Sequence, residues 1–357
     1  MNRFFKIFAS NIIIFLIGIL ALELLFGGWI GRNYGTLVIP VDFNRRFDVS
    51  KLYQWKEGRT NYARDIYGLR GHYKSLSNID ILTVGGSTTN EIFISEGYTW
   101  SDVLRENFEK EKRDFTVINA GVDGQSTIGH LKNFELWFPM IPKIKARYIL
   151  VYIGINDHAL IKANYNQNKQ DGLLARRNIF KQYVMNNSAF YTLFRNIRGM
   201  VFARRANLIH TGHNFNQVTW KYVSSPQGLK TFEEKYADDL NRYANRLIKL
   251  NAAIHKFGSK PIFVTQHKAN YKFQNGKVLV PNNPTEKSAF MDFVGLTAIN
   301  KVTMQTCREL EAICIDLGQH LLFSNGDHYD DIHTTPQGSK KIGDFLFKAL
   351  KRNSRFN

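Results

Sequence analysis

Cysteine is scarce in this 357-residue chain: only Cys307 and Cys314 are present. Two cysteines cannot build a disulfide scaffold, and their spacing matches no zinc-binding pattern. Cys307 lies in a helical-looking run from Val302 to Glu311, and Cys314 in a strand-like run from Ile313 to Leu317. Both read as small core residues, and the sequence leaves open whether they are bridged. Acidic residues are also few, 30 against 48 Lys and Arg, giving a net charge of +18. Such a balance favours anionic partners such as headgroups, acidic glycans or nucleic acid, but it equally fits a plain basic surface and says nothing about fold. No internal repeat is visible. The composition is globular, 44% hydrophobic and 22% charged, and 13% aromatic residues argue against long disorder. Beyond the first thirty residues about 325 remain, enough for one large α/β domain or two small ones.

The N-terminus carries the one long apolar run. It extends from Ile12 to Ile30 and is interrupted only by Glu23 and three glycines. At about 1.5 Å per residue it covers roughly the 30 Å of a bilayer core. Trp29 stands at its far end, where interfacial aromatics belong, and Glu23 falls in its outer part, away from the bilayer centre. No small-residue cleavage site follows Leu25 and no lipobox cysteine is present, so residues 1–31 read as a membrane anchor rather than a removed leader. A buried core helix is the alternative. Arg3 and Lys6 place the N-terminus inside and residues 32–357 outside, although Arg32, Arg45 and Arg46 weaken the asymmetry.

Residues 32–78 are loop-rich and read as a connector docked on the domain. The organised part starts at Ile79. Five apolar runs read as strands: Ile79–Val84, Phe115–Asn119, Tyr148–Ile153, Pro261–Thr265 and Ile313–Leu317. Helical spacing marks Thr99–Lys110, a long stretch from Phe232 to Ile254 closed by Gly258, about Ala289–Glu311, and Gly338–Lys351. Strands alternating with helices predict a mostly parallel five-stranded sheet in a three-layer α/β/α fold. Residues 158–230 break that rhythm and read as an insertion. Between Lys162 and Leu208 nine Lys and Arg stand against one acidic residue, Asp171, with aromatics interleaved. This region reads first as a helical cap with a solvated basic face, and second as a surface for headgroups or an acidic polymer.

In open parallel sheets, functional residues gather at the carboxyl ends of strands. The first strand ends in Gly85-Gly86-Ser87-Thr88-Thr89. A serine after a strand and two glycines can sit in a tight, exposed turn, though Gly-Gly-Ser also makes ordinary loops. The missing Walker lysine argues against a nucleotide site. The second end reads Asn119-Ala120-Gly121-Val122-Asp123-Gly124-Gln125-Ser126, a turn whose glycines let backbone N–H groups approach a ligand. The third, Gly154-Ile155-Asn156-Asp157, offers a neutral amide donor suited to an oxyanion, or simply a helix cap. The last loop, Asp327 to Pro336, holds His333 with Asp330 and Asp331 just before it. A carboxylate there can fix the tautomer of the imidazole.

Taken together and in this order, the four blocks resemble the SGNH/GDSL hydrolase family over roughly residues 79–348. The resemblance implies that Ser87 is the nucleophile and that Asp330 and His333 complete the triad. It implies an oxyanion hole from the Ser87 and Gly124 N–H groups and the Asn156 amide. Gly86 departs from the name-giving motif, which has Asp there. The Gly-Gly-Ser-Thr-Thr form is similar to a branch of the family often anchored by one N-terminal helix, and Gly86 bears on the branch more than on the chemistry. The fold implied is SGNH/flavodoxin-like, spanning residues 79–351. The function implied is a membrane-anchored esterase, with no cofactor or metal and no nucleic-acid partner. It would remove or transfer O-acyl or O-acetyl groups on envelope or extracellular polysaccharide. A lipase, phospholipase or thioesterase is the second reading, and a non-catalytic glycan-binding scaffold the third. The expected location is a single-pass membrane position, with the catalytic domain on the extracytoplasmic side.

Overall fold

The structure is a computed structural model. It describes residues 2–29, 37, 39–111, 114–162, single positions between 184 and 197, 218–223, 226–274, 277–282 and 286–356. The chain forms two compact units, Met1–Val38 with Asn166–Ile209, and Ile39–Tyr165 with His210–Asn357. Most of the basic insertion lies outside the described residues.

In the first unit, α1 (Asn2–Phe26) is apolar from Ile12 onward except for Gly18 and Glu23. Residues Phe5–Phe26 have a mean hydropathy of 2.4, and no residue among them is fully buried. The helix is long and apolar enough to cross a membrane, a property that an anchor shares with a signal sequence. Glu23 is the one carboxylate in this helix. It accepts hydrogen bonds from Trp29 Nε1 (2.9 Å), Ser188 Oγ (2.6 Å) and the Ala189 N–H (2.8 Å), so its charge is met by donors within the unit.

The second unit is built on a five-stranded sheet. It contains β3 (Ile79–Gly85), β4 (Val117–Asn119), β5 (Ala146–Tyr152), β7 (Lys260–Val264) and β10 (Ile313–Ile315), in the order β10-β7-β5-β3-β4 with every pair parallel. The strands are apolar on both faces because helices cover both. One layer holds α3 (Trp100–Glu109) and α10 (Pro336–Lys351), whose Trp100, Leu104, Phe108, Ile342, Leu346 and Leu350 pack on Ile81, Tyr148, Leu150 and Ile262. The opposite layer holds α7 (Ala237–Lys256) and α8 (Glu286–Glu309). A capping box fixes the start of α3: Thr99 accepts from the Asp102 N–H, and the Asp102 carboxylate accepts from the Thr99 N–H. The chain leaves β3, adds β4 on one side, and returns to add β5 on the other. The carboxyl end of β3 is therefore the topological switch point, the usual place for a site in such sheets.

Several expectations need correcting. The long helix from Phe232 is two, α6 (Pro226–Lys235) and α7, because Tyr236 adopts φ −113° and ψ 24°. Periodicity missed the break because Phe232 and Leu240 are buried on either side of it. The second strand starts at Val117 rather than Phe115, whose ring instead stacks on Phe108 at 4.2 Å. Two antiparallel sheets were not anticipated. Within the connector, β1 (Phe43–Asp48) pairs with β2 (Arg59–Arg64). Elsewhere β6 (Trp220–Val223), β8 (Lys272–Gln274) and β9 (Lys277–Pro281) pair in the order β6-β9-β8, so the stretch read as a helical insertion contains a strand near its end.

Cys307 and Cys314 are not merely core residues: they are joined in a disulfide, with Cα atoms 5.9 Å apart, stapling the end of α8 to β10. The bridge closes a loop across a sequence separation of 7. For so short a loop, chain entropy predicts about 2–3 kcal/mol of stabilisation. The Cys307→Ser, Cys314→Ser double variant should therefore unfold at lower denaturant concentration than the oxidised protein. Equal midpoints would show that the bridge carries no stability.

Candidate active site

At the switch point the chain turns from β3 into the single-turn helix α2 (Ser87–Asn90). Gly85 and Gly86 make the turn by taking no space. A Cβ on Gly85 would overlap Thr89, and one on Gly86 would overlap the Asn156 amide nitrogen. Ser87 is the first residue of α2, so its N–H has no partner within the helix.

His333 faces Ser87 from the loop before α10. Its Nε2 lies 2.8 Å from Ser87 Oγ, and its Nδ1 lies 2.7 Å from Asp330 Oδ2. An ionised carboxylate can only accept, so Nδ1 carries the proton and Nε2 is left to accept from the serine hydroxyl. The other Asp330 oxygen accepts from the N–H groups of Ile332 (2.9 Å) and His333 (2.7 Å), a turn that locks carboxylate and imidazole into one loop conformation. The neighbouring Asp331 uses its backbone carbonyl to accept from the Ala269 N–H at 2.7 Å, tying this loop to the segment after β7.

The donors read from the second and third strand ends converge on the same place. Asn156, in α5 (Ile155–Lys162), donates one amide hydrogen to the Gln125 carbonyl at 2.7 Å. That bond fixes the orientation of the amide and leaves its second hydrogen available beside Gly86. Gly124 has φ +73°, and a Cβ there would point into open space. Behind these two turns, Asp157 is held by Thr127 Oγ1 (2.6 Å) and Arg246 (3.1 Å), with Thr127 at the start of α4 (Thr127–Lys132). Burial raises the Asp157 pKa, and Arg246 opposes the shift. One buried cluster thus ties the Gly124 and Asn156 turns together.

Other positioning residues escaped the sequence reading. Gln266, at the end of β7, donates to Thr88 Oγ1 (2.8 Å) and accepts from the Ile155 N–H (2.7 Å), bridging the residues beside Ser87 and Asn156. The strand-end rule, applied to the fourth strand, points to it. Tyr329 stacks on His333 with centroids 5.6 Å apart and planes 9° apart, and Tyr53 of the connector stacks behind it at 5.8 Å. Asn90 accepts from Tyr62 (2.9 Å) and Arg64 (2.6 Å), both on β2, and donates to Asp123 (2.7 Å).

Glu91 is the most consequential of these. It follows α2 with φ +51° and is buried. Its carboxylate accepts from the Trp100 N–H (2.8 Å), from Thr334 Oγ1 (2.9 Å) and from Ser339 Oγ. It therefore joins the serine turn to the residue after His333. Burial pushes its pKa up to about 7, against the pull of Ser339, Trp100, Arg70 and Thr334.

A parallel sheet with a serine at its switch point, and a histidine and aspartate ahead of its last helix, defines a serine hydrolase of the three-layer α/β/α type. The model of the GDSL-like lipase/acylhydrolase family matches residues 81–346. The chain belongs to that family and is a serine hydrolase acting on ester bonds. Among solved structures, it is similar to a G-D-S-L family lipolytic protein from Veillonella parvula, at 12% identity over 77% of this chain and 100% of that one, with a TM-score of 0.40. A variant of the acetyl xylan esterase Axe2 from Geobacillus stearothermophilus matches at 14% identity over 76% and 94% of the two chains, with a TM-score of 0.40. The carbohydrate acetylesterase Est24 from Sinorhizobium meliloti matches at 10% identity over 76% and 98%, also with a TM-score of 0.40. No curated protein matches the chain.

Glu91 gives a pH signature. Its folded pKa is raised from 4.5 to about 7, so the protonated form is favoured by folding. Its contribution is fully present below pH 4.5 and is lost as the pH rises through 7. Relative to Glu91→Gln, which mimics the neutral form, the wild-type protein should lose stability across that interval. Denaturant unfolding of both proteins at several pH values would measure the difference, and parallel pH curves would remove Glu91 as the cause.

Proposed function

We propose that this chain is a membrane-anchored esterase that removes or transfers O-acyl groups, foremost O-acetyl, on envelope or extracellular polysaccharide. Ser87 is the nucleophile, His333 the general base and Asp330 the residue that orients it. The observation that carries the reading is the unbroken row from Ser87 Oγ to His333 Nε2 (2.8 Å) and from Nδ1 to Asp330 (2.7 Å).

The mechanism follows from that row. Ser87 Oγ attacks the ester carbonyl as its proton passes to His333 Nε2, and Asp330 stabilises the imidazolium. The oxyanion is met by the Ser87 and Gly124 N–H groups and the free hydrogen of the Asn156 amide. Each such donor is worth about 2.7–4 kcal/mol of barrier. His333 then returns the proton to the departing alcohol. The acyl-enzyme is cleared by water, or by a sugar hydroxyl in the transferase case, with His333 again as base. Two features support an extracytoplasmic location for this chemistry: the Cys307–Cys314 disulfide, of a kind that persists in oxidising compartments, and the exposed apolar helix at the N-terminus. The net charge of +18 supports an anionic polymer or headgroup as neighbour, with the basic stretch 162–208 as its place in the sequence.

Ser87→Ala should stay folded and lose about 10³-fold or more of its turnover on 4-nitrophenyl acetate, together with labelling by a fluorophosphonate probe. Retention of most of the turnover would remove Ser87 from the mechanism. Asp330→Asn should fall by up to about 10⁴-fold, because the wrong imidazole tautomer is then favoured, whereas Asp331→Asn should fall far less. A larger loss at Asp331 would reverse the assignment. Release of acetate from an acetylated polysaccharide, compared with release of longer acyl groups from lipid esters, tests the substrate class.

A further inference from the structure

Besides α1, the first unit carries a second apolar surface. The described residues of the stretch 189–197 are helical, and Phe190, Leu193, Phe194 and Ile197 among them are 42, 56, 62 and 47% exposed. Steps of three and four place all four on one arc of the helix, about 100° wide. The other large apolar residues exposed outside α1, such as Met140, Ile248 and Leu322, stand singly along the chain. Single exposed apolar residues are ordinary, whereas a contiguous row marks a surface that something covers.

The way this stretch is joined to α1 points to what covers it. Ser188 starts it: its Oγ accepts from the Tyr191 N–H at 3.1 Å, as an N-cap does. The Glu23 carboxylate of α1 then accepts from the Ser188 hydroxyl (2.6 Å) and from the N–H groups of Ala189 (2.8 Å) and Phe190 (3.3 Å). The Gly28 N–H donates to the Asn187 carbonyl at 2.7 Å, and Trp29 Nε1 donates to Glu23 at 2.9 Å. The first N–H groups of a helix have no partner within it, and here three in a row end on side-chain oxygens. At membrane depth that is a requirement, because no water is there to accept from them. The same contacts meet the one carboxylate of α1, a charge that is costly near lipid unless donors surround it.

Depth and charge narrow the occupant to lipid. Glu23 stands three residues before Phe26, so the junction lies about 4.5 Å inside the end of α1. An amphipathic helix at a membrane interface sinks its apolar face about 5–10 Å, which is the same level. A glycan would offer mainly hydroxyls to four side chains that have no polar atom. Between Lys162 and Leu208 the sequence sets nine Lys and Arg, Arg195 and Arg198 among them, against the single acidic Asp171, a balance that suits anionic headgroups. We infer that the stretch 189–197 is a second membrane contact, a short helix in the bilayer interface with its apolar row in the acyl boundary and its start pinned to α1 by Glu23. The inference rests on the membrane-anchored part of the proposal above and names the place where the insertion meets lipid.

The test uses the full-length protein reconstituted in vesicles of equal parts phosphatidylcholine and phosphatidylglycerol. Both native cysteines are bridged, so Phe194→Cys and Leu16→Cys each provide the one free thiol for an environment-sensitive fluorophore. Phe194 and Leu16 are exposed, so neither change opens a packed core. The label at 194 should emit to the blue of its value in urea, lose most of its emission to a nitroxide on a shallow acyl-chain carbon, and lose little to aqueous iodide. The label at 16, within α1, should be quenched by a nitroxide near the acyl-chain end. Glu23→Leu should raise iodide quenching at 194 several-fold, and Glu23→Gln, which keeps an oxygen acceptor, should raise it less. A label at 194 that iodide reaches freely would overturn the contact. A blue-shifted label that the lipid nitroxide does not reach is covered by protein, such as a second copy, and would overturn it as well. Quenching unchanged by Glu23→Leu would overturn the pin to α1. The label at 16 separates the failures. If it is quenched from the lipid and the label at 194 is not, only the second contact is lost; if neither is, the anchor reading on which it rests is lost.

Discussion

The arrangement of Ser87, His333 and Asp330 depends on one buried carboxylate. Ser87 rides on a turn after β3, whereas His333 sits 246 residues later in a loop before α10. Nothing covalent keeps the two in register. Glu91 does so by accepting at once from the Trp100 N–H, Thr334 and Ser339, so that the serine turn, the start of α3, the histidine loop and α10 share one acceptor. Burying a carboxylate is costly unless its lone pairs are filled, and here they are filled by groups from each element that must stay aligned. Catalytic geometry tolerates little error, so a rigid junction of this kind is worth a penalty in stability. Gln266 performs the same service between the serine turn and the Asn156 turn, using neutral groups.

Gly86 shows why the first block of this chain can differ from the family's usual motif. The amide nitrogen of Asn156 occupies the space a Cβ at position 86 would need. Close approach of the Asn156 amide and absence of a side chain at 86 are thus one feature seen from two sides. Gly121 is similar: a Cβ there would collide with the backbone of Thr89 and Asn90, so the second block can lie directly against the serine turn.

The sequence was most informative where local pattern and tertiary environment agree. The five sheet strands are short apolar runs, four of them ended by Gly, Asn or Asp, and burial on both faces makes them apolar. Ser87, Gly124, Asn156, Asp330 and His333 were legible because they lie at strand ends or in the last loop, in a fixed order. Glu91, Gln266, Tyr329 and Tyr53 were not. Their importance comes from partners far away in the chain, and Gln or Tyr in a loop carries no periodic signal. The antiparallel strands β6, β8 and β9 were missed because segments of three to five residues are too short to show alternation. The disulfide was undecidable for the same reason: only the fold brings the end of α8 and β10 to bridging distance.

The connector has a consequence for how the protein can be regulated by cutting. Tyr53 backs the ring that stacks on His333, and Tyr62 and Arg64 hold Asn90 beside the serine turn. Residues 43–64 are therefore a wall of the hydrolase rather than a tether. A cut between β1 and β2 would leave the five-stranded sheet standing and remove the ring that backs Tyr329 against His333. The sheet and the alignment of the imidazole are thus separable: the first rests on β3 to β10, the second also on a hairpin that precedes them in the chain.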